Sequence, residues 1–160
     1  MAFYEASRDP CLRAVCAMVG DRLLAEDLVA EGFARAWASW PTVSKHPAPK
    51  AWVLRTALNL RVSWWRRRRR EIPLVGADRV PSPDSPGGID PSLMAALDRL
   101  SPRQREVIVL RLLLDLDTHS TAAVLGIVPG TVTAHLARAA DALQRDLTEH
   151  HYPVTMETNR

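Results

Sequence analysis

Two neighbouring tryptophans, Trp64 and Trp65, run straight into five consecutive arginines, Arg66 to Arg70. Five adjacent guanidinium groups repel one another and settle where counter-charge is supplied, which phosphates do through bidentate hydrogen bonds and counterion release. Indoles beside them suit unpaired bases, which stack on aromatic faces for roughly 1 to 3 kcal/mol each. On a helix the two tryptophans point about 100° apart, so at least one leaves the core. The same cationic, aromatic segment could lie on an anionic membrane surface or simply be solvated, and the residues alone leave those readings open. Trp37 and Trp52 fall on helix core stripes and read as core.

A second pattern joins Ala122, Gly126 and Val132, with apolar Leu125, Ile127 and Leu136 around them. A helix-turn-helix needs a small residue where its second helix crosses the first, a residue tolerant of left-handed backbone in the turn, and a branched residue packing the second helix back. All three fall at that spacing. The second helix would present Pro129, Thr131, Thr133, Ala134, His135 and Arg138 to a major groove, where hydroxyl, imidazole and guanidinium groups can reach base edges or phosphates. Any short helical pair can also match this pattern.

Other segments propose no chemistry. The acid-rich stretch Ala25 to Glu31 reads as an exposed polar face. His46, His119 and His135 lie in separate elements, and His150 and His151 are adjacent in a tail, so no metal is assigned. Cys11 and Cys16 are too few for a disulfide framework and read as reduced core thiols. Phosphate-cradling glycine loops and nucleophile elbows are missing from the sequence, so nothing proposes an enzyme or a cofactor. The start of the chain carries Glu5, Arg8 and Asp9 where a secretory segment would be apolar, and the longest apolar run, Val107 to Leu114, is cut by Arg111. The expected location is the cytoplasm, with no direct membrane insertion.

The elements that must position these groups are helical. Helices are expected over residues 3–19 and 22–40, separated by Gly20 as a stop and Asp21 as an N-cap, with Leu24, Leu28, Phe33 and Trp37 as one apolar stripe. Residues 41–49, with three prolines, read as a loop. A helix over 50–70 contains no glycine, proline or acid and eight basic residues. Asp90-Pro91 and Ser101-Pro102 each read as N-cap plus proline at the first helical position, and Ser101 with Gln104 has capping-box spacing, opening helices over 91–99 and 102–114. Asp117 caps a short helix to Leu125, Gly126 breaks it, and Pro129 opens a last helix to about residue 147, followed by a polar, frayed tail from Thr148. No strand has convincing alternation.

With 160 residues, 47% hydrophobic and 24% charged, the chain has room for one ordinary domain or two small helical ones. The net charge of +3 hides an asymmetry. Residues 1–80 carry 14 basic against 8 acidic side chains, a balance of +6, and residues 81–160 carry 7 against 10, a balance of −3. That argues for a polyanion facing the first half. Residues 72–93 hold five of the twelve prolines and three of the seven glycines without a sustained apolar period, and read as a linker. Extended it would reach roughly 70 Å, and as a free coil about 26 Å.

Three segments in order, Ala25-Glu-Asp-Leu-Val-Ala-Glu-Gly-Phe-Ala-Arg-Ala-Trp37, Lys50-Ala-Trp-Val-Leu-Arg-Thr-Ala-Leu-Asn59 leading into the arginines, and Leu100-Ser-Pro-Arg-Gln-Arg-Glu-Val107 continuing through Leu125-Gly126 and Gly130-Thr-Val132, resemble a bacterial RNA polymerase sigma factor of the extracytoplasmic-function group of the sigma-70 family. The resemblance implies an all-α protein of two small helical domains joined by a flexible linker. Residues 1–71 would be region 2, 72–93 the linker, 94–147 region 4 with its helix-turn-helix, and 148–160 a polar tail. It implies a promoter-specific initiation factor that binds core RNA polymerase, recognises −10 and −35 elements and promotes melting, without catalysis of its own.

Residue by residue, the resemblance implies that Asp27, Leu28, Glu31, Phe33 and Arg35 dock on the beta-prime clamp helices, with the beta flap as a further polymerase contact. Lys45, His46, Arg55, Asn59, Arg61, Trp64, Trp65, Arg66, Arg67 and Arg68 would grip the −10 element and hold extruded bases. Pro129, Thr131, Thr133, Ala134, His135 and Arg138 would read the −35 element. An anti-sigma factor is a further partner to expect. The chain departs from the family where Lys and Arg or His are common at Thr133 and His135, where Gln and Thr are frequent at Ala30 and Gly32, and where Val128 stands in place of a capping serine, a loss on the order of 1 kcal/mol. Residues 129–147 carry Arg138 and Arg145 against Asp141 and Asp146, so region 2 should dominate affinity for DNA. Competing readings are a sigma-like regulator that does not engage polymerase, a Trp/Arg membrane-surface protein and a small helical enzyme.

Overall fold

A computed structural model describes residues 1–71 and 88–151, with the side chains of 64–71 and 151 outside the described part. Helix α1 (Ala2–Val19) ends at Gly20, whose φ of 74° lets its N–H return to the Cys16 carbonyl at 2.8 Å. Asp21 then caps α2 (Arg22–Ala38), its carboxylate accepting from the Leu24 N–H at 3.1 Å. A four-residue helix α3 (Trp40–Val43) stands in part of the stretch expected to be loop, because Pro41 sits in its first turn, where a missing N–H costs nothing. Helix α4 runs over Pro49–Glu71.

Buried Ala51, Leu54, Ala57 and Leu58 give α4 an inward face at 3–4 spacing, laid against α2. Gly32 makes that approach close. A Cβ there would stand 3.1 Å from the Val53 carbonyl oxygen and 3.3 Å from a Val53 methyl, so the threonine frequent in the family would push α2 away from α4. The amino-terminal end of α1 is pinned to α2 and α3 by rings: Phe3 lies 6.0 Å from Phe33 and 5.3 Å from Trp40, and Tyr4 meets Phe33 edge-on at 5.0 Å. Cys11 and Cys16 are free and buried, and burial pushes their thiols up to about 12 and about 11.

The second unit begins with α5 (Pro91–Arg99) and α6 (Pro102–Ile108). The Asp90 carboxylate accepts from the Ser92 and Leu93 N–H groups, and the Ser101 hydroxyl accepts from the Gln104 N–H at 3.3 Å. The expected helix to residue 114 stops being an α-helix at Ile108. Residues Val109–Leu113 are wound as a π-helix, the Leu114 N–H returns to the Val109 carbonyl, and Asp115 takes a φ of 53°. The wider turn lets Val109, Leu110, Leu114 and Leu116 all be buried, and the Arg111 guanidinium ties the end down by donating to the Leu116 carbonyl.

Asp117 caps α7 (Thr118–Leu125) through the Ser120 N–H at 2.7 Å, and the Ser120 N–H and hydroxyl hold its carboxyl below the usual value. Gly126, at φ 66°, ends α7 and sends the chain through a 100° bend into α8 (Pro129–His151), which continues four residues past the expected end. Residues 148–151 are therefore helix rather than frayed tail. All regular elements among the described residues are helical, and they form two units. The units do not stand apart. α1 lies against the π-helix and α6, α4 lies against α7, and one apolar core runs through both. The expected linker falls mostly on residues 72–87, outside the described residues.

Candidate nucleic-acid interface

The exposed side of α4 carries Arg55, Asn59, Val62 and Ser63, one row at 3–4 spacing opposite the buried face. Lys45 and His46 stand exposed on the turn before it. The Ala48 N–H donates to His46 Nδ1 at 3.0 Å, which fixes that imidazole nitrogen as an acceptor. Lys45 and Arg55 have no ion-pair partner among the described residues, so their charge is free for an outside anion. Beside this row an open groove of about 460 Å³ lies between the end of α2 and α4, lined by Arg35, Ser39, Trp52, Thr56, Asn59 and Ser63 among others. An indole, an amide, hydroxyls and a guanidinium around a space of that size can take a flat heterocycle and hydrogen-bond its edge.

Arg61 is placed differently. Its guanidinium meets the Glu106 carboxylate of α6 at 3.5 Å, with the two side chains 27% and 15% exposed, and Arg103 holds the other Glu106 oxygen at 3.0 Å. No sequence pattern signals a pair 45 residues apart. The expected contacts by Trp64, Trp65, Arg66, Arg67 and Arg68 fall on side chains outside the described part; the α4 backbone continues beneath them to Glu71.

The helix-turn-helix closes on its own small core of Val107, Ala122 and Val132, with Leu125, Ile127 and Leu136 packed against it. The three residues that marked the motif thus meet in space or make its turn. Thr133, Ala134 and Arg138 are exposed on α8, while Pro129, Thr131 and His135 are half-buried. The Thr133 hydroxyl donates to the Pro129 carbonyl at 3.2 Å, leaving its lone pairs outward, and His135 Nδ1 is buried without a hydrogen-bond partner. Arg138 has no ion-pair partner among the described residues, whereas Asp146 holds Arg99 at 2.5 Å and Arg145 bonds back to the Asp141 carbonyl.

On α2 the expected partner residues divide. Asp27, Glu31 and Arg35 are exposed, and Glu31 pairs with Arg35 at 2.9 Å. Leu28 and Phe33 are 5% and 7% exposed and belong to the core, so in this structure they have no surface to offer a partner. Their place on the surface is taken by Leu23 and Trp37, 75% and 69% exposed, which corrects the reading of Trp37 as core. Positions 23 and 37 are fourteen residues apart, within about 40° on a helix, and Asp27, Ala30 and Ala34 lie between them on the same face. That arithmetic could have found the face from sequence. Trp52 is partly buried against the core, as its spacing suggested.

Among the described residues no single helix is long and apolar enough to cross a membrane. The family model for Sigma-70 region 2 matches residues 3–71, and that for Sigma-70, region 4 matches residues 91–143. The RNA polymerase sigma-E factor of Streptomyces coelicolor is 33% identical over 148 residues, covering 91% of this chain and 84% of the relative. The ECF RNA polymerase sigma factor SigL of Mycobacterium tuberculosis is 30% identical over 156 residues, covering 92% and 88%. Among solved structures, the sigma factor RpoE of Bartonella quintana, crystallised with the anti-sigma factor NepR, superposes with a TM-score of 0.69 at 28% identity, covering 88% of this chain and 91% of that one. Matches over both helical units, in this order, show that the chain belongs to the extracytoplasmic-function group of the sigma-70 family, the promoter-specific transcription initiation factors that bind core RNA polymerase and promoter DNA.

Proposed function

We propose a division of labour within that role: residues 1–71 bind the polymerase and the −10 element, residues 72–90 span the enzyme, residues 91–147 read the −35 element, with 91–93, expected in the linker, forming the first turn of α5, and residues 148–160 have no part in either. The observation that carries this is the exposed row Arg55, Asn59 and Ser63 on α4, with Arg55 lacking an ion-pair partner among the described residues and Asn59 and Ser63 lining an open groove walled by Trp52. Phosphates dock on Lys45 and Arg55, and His46, Asn59, Trp64 and Trp65 hold bases turned out of the duplex. Arg61 and Arg66 to Arg68 add backbone charge. Contacts made to single strands and not to the duplex shift the equilibrium toward open DNA, so melting follows from binding without a catalytic step.

The outer face of α2 docks on the beta-prime clamp helices through Asp27, Glu31 and Arg35, with Leu23 and Trp37 as its apolar contacts. Thr133, Ala134 and Arg138 face the −35 groove, with Pro129, Thr131 and His135 at its border, and the second unit meets the beta flap. The protein acts in the cytoplasm, is not an enzyme, and has an anti-sigma partner, as the Bartonella relative does.

Run-off transcription with core polymerase tests the reading. The wild-type chain should confer selective initiation on promoters mapped after forced expression. Asn59→Ala with Arg55→Ala should abolish open complexes while core binding persists, and Asp27→Ala with Glu31→Ala should abolish co-purification with core. No selective transcript from any mapped promoter would overturn it.

A further inference from the structure

The first unit has a second open pocket, of about 350 Å³, between α1 and the start of α2, and it shares no residue with the groove beside α4. Helical spacing builds it: Arg8 and Leu12, and Asp9 and Arg13, stand one turn apart on α1, as Arg22 and Glu26 do on α2. None of the six has a part in the division of labour proposed above. Three guanidiniums face two carboxylates, and the carboxylates do not use them up. Arg8 gives Asp9 only its Nη1, at 2.9 Å, and Arg22 gives Glu26 only its Nε, at 3.1 Å. Arg13 is exposed and has no ion-pair partner among the described residues. Since each guanidinium carries five N–H donors, most of the donors around this pocket are unspent.

Those donors set the chemistry of the ligand. A phosphate dianion presents three oxygens and accepts guanidinium forks from several directions at once, where a single carboxylate satisfies one fork. The two ion pairs already present are solvent-exposed, each worth about 1 kcal/mol or less, so a dianion can draw Arg8 and Arg22 toward itself. Asp9 and Glu26 disfavour a highly charged polyphosphate and accept hydrogen bonds from hydroxyl or amino groups. Leu12, partly buried against the core, gives the pocket its one apolar wall, and the volume is at the small end of ligand sites. We propose that the pocket between α1 and α2 binds a small phosphomonoester of mononucleotide size. Its phosphate lies among Arg8, Arg13 and Arg22, and its body rests on Leu12 with donors turned to Asp9 and Glu26. The site needs nothing from the assignment of the promoter surfaces.

The test uses the full chain, with AMP and GMP as probes against adenosine and inorganic phosphate, in titration calorimetry and amide NMR. A nucleoside monophosphate should bind more tightly than adenosine or phosphate, and the shifted amides should centre on residues 8–13 and 22–26. Arg13→Gln should weaken binding about tenfold, the effect of one charge-assisted hydrogen bond, and adding Arg22→Gln should weaken it further. Arg13→Lys, which keeps the charge but not the fork, should weaken it less than Arg13→Gln. Because Arg13 and Arg22 are exposed, both variants should keep the wild-type melting temperature, which separates lost binding from lost folding. No shift at millimolar AMP or GMP, equal binding of adenosine or of phosphate alone, or shifts centred on α4 would each overturn the proposal. So would duplex DNA displacing the probe together with an equal loss of DNA affinity in Arg13→Gln, which would make the pocket a strand contact.

Discussion

The outward faces of α4 and α8, the two proposed DNA-facing surfaces, are carried on helices of equal length, 23 residues each, yet they differ in chemistry. From Lys50 to Arg70, α4 carries eight basic residues and no acid; from 129 to 147, α8 balances two arginines against two aspartates. Phosphate attraction is long-ranged and indifferent to sequence, whereas base contacts are short-ranged and selective. The first face can gather DNA and hold it. The second, with hydroxyls, methyls and one free guanidinium, can sense register at little gain in affinity. On the proposed assignment, grip and discrimination are carried by separate helices.

The largest effect should come from unseating the second face. Val132 is fully buried in the small core behind α8, and Val132→Asp places a charge among apolar side chains at a cost of about 3 kcal/mol or more. Calorimetry should show the lowered transition, and promoters that depend on the −35 element should lose transcription while those with strong −10 elements retain it. Next come the arginines. Arg66→Gln, Arg67→Gln and Arg68→Gln together should flatten the slope of log affinity against log salt by about 2 to 3, at roughly 0.7 to 0.9 for each phosphate no longer neutralised. Arg138→Gln should flatten it by less than about 1 in the same fluorescence titration. Equal changes in the two variants would break the comparison.

The pH limits of the two units differ as well, with the smallest effects. Cys11 and Cys16 lie only in the first unit, and their raised thiol values mean the folded form keeps protons that the unfolded chain releases. Their contribution to stability is intact below pH 9 and is lost as pH rises toward about 11 and 12, which alkaline unfolding followed by circular dichroism would show, with Cys11→Ala and Cys16→Ala shifting the onset. Asp117 in the second unit has a lowered value, so its cap is at full strength above its ordinary 3.8 and weakens as pH falls below it. Asp117→Asn should remove that acid dependence and keep the cap.

Much of this fold was legible because its punctuation is local. Asp21, Asp90, Ser101 and Asp117 cap helices, and Gly20 and Gly126 end them, through hydrogen bonds and backbone angles settled within a few residues. The helix-turn-helix was legible for the same reason. What escaped depends on distant neighbours. Leu28 and Phe33 against Leu23 and Trp37 is a question of which side of α2 faces α1 and α4, and an apolar residue carries no label for that. The π-helix forms because four consecutive apolar residues find partners on two sides, which requires both units to be in place. The Arg61–Glu106 pair joins segments separated by a proline-rich stretch whose composition gives no sign of what lies across it.

The ion pair between Glu31 and Arg35 has one member on the outward face of α2 and the other in the wall of the groove against α4. A charge brought up to Glu31 from outside competes for Arg35 and changes where that guanidinium points within the groove. With Gly32 leaving no slack between the two helices, a shift of α2 is carried straight into α4. On the proposed assignment, grasp by the transcribing enzyme and the shape offered to an unpaired base would be linked across the width of a single side chain.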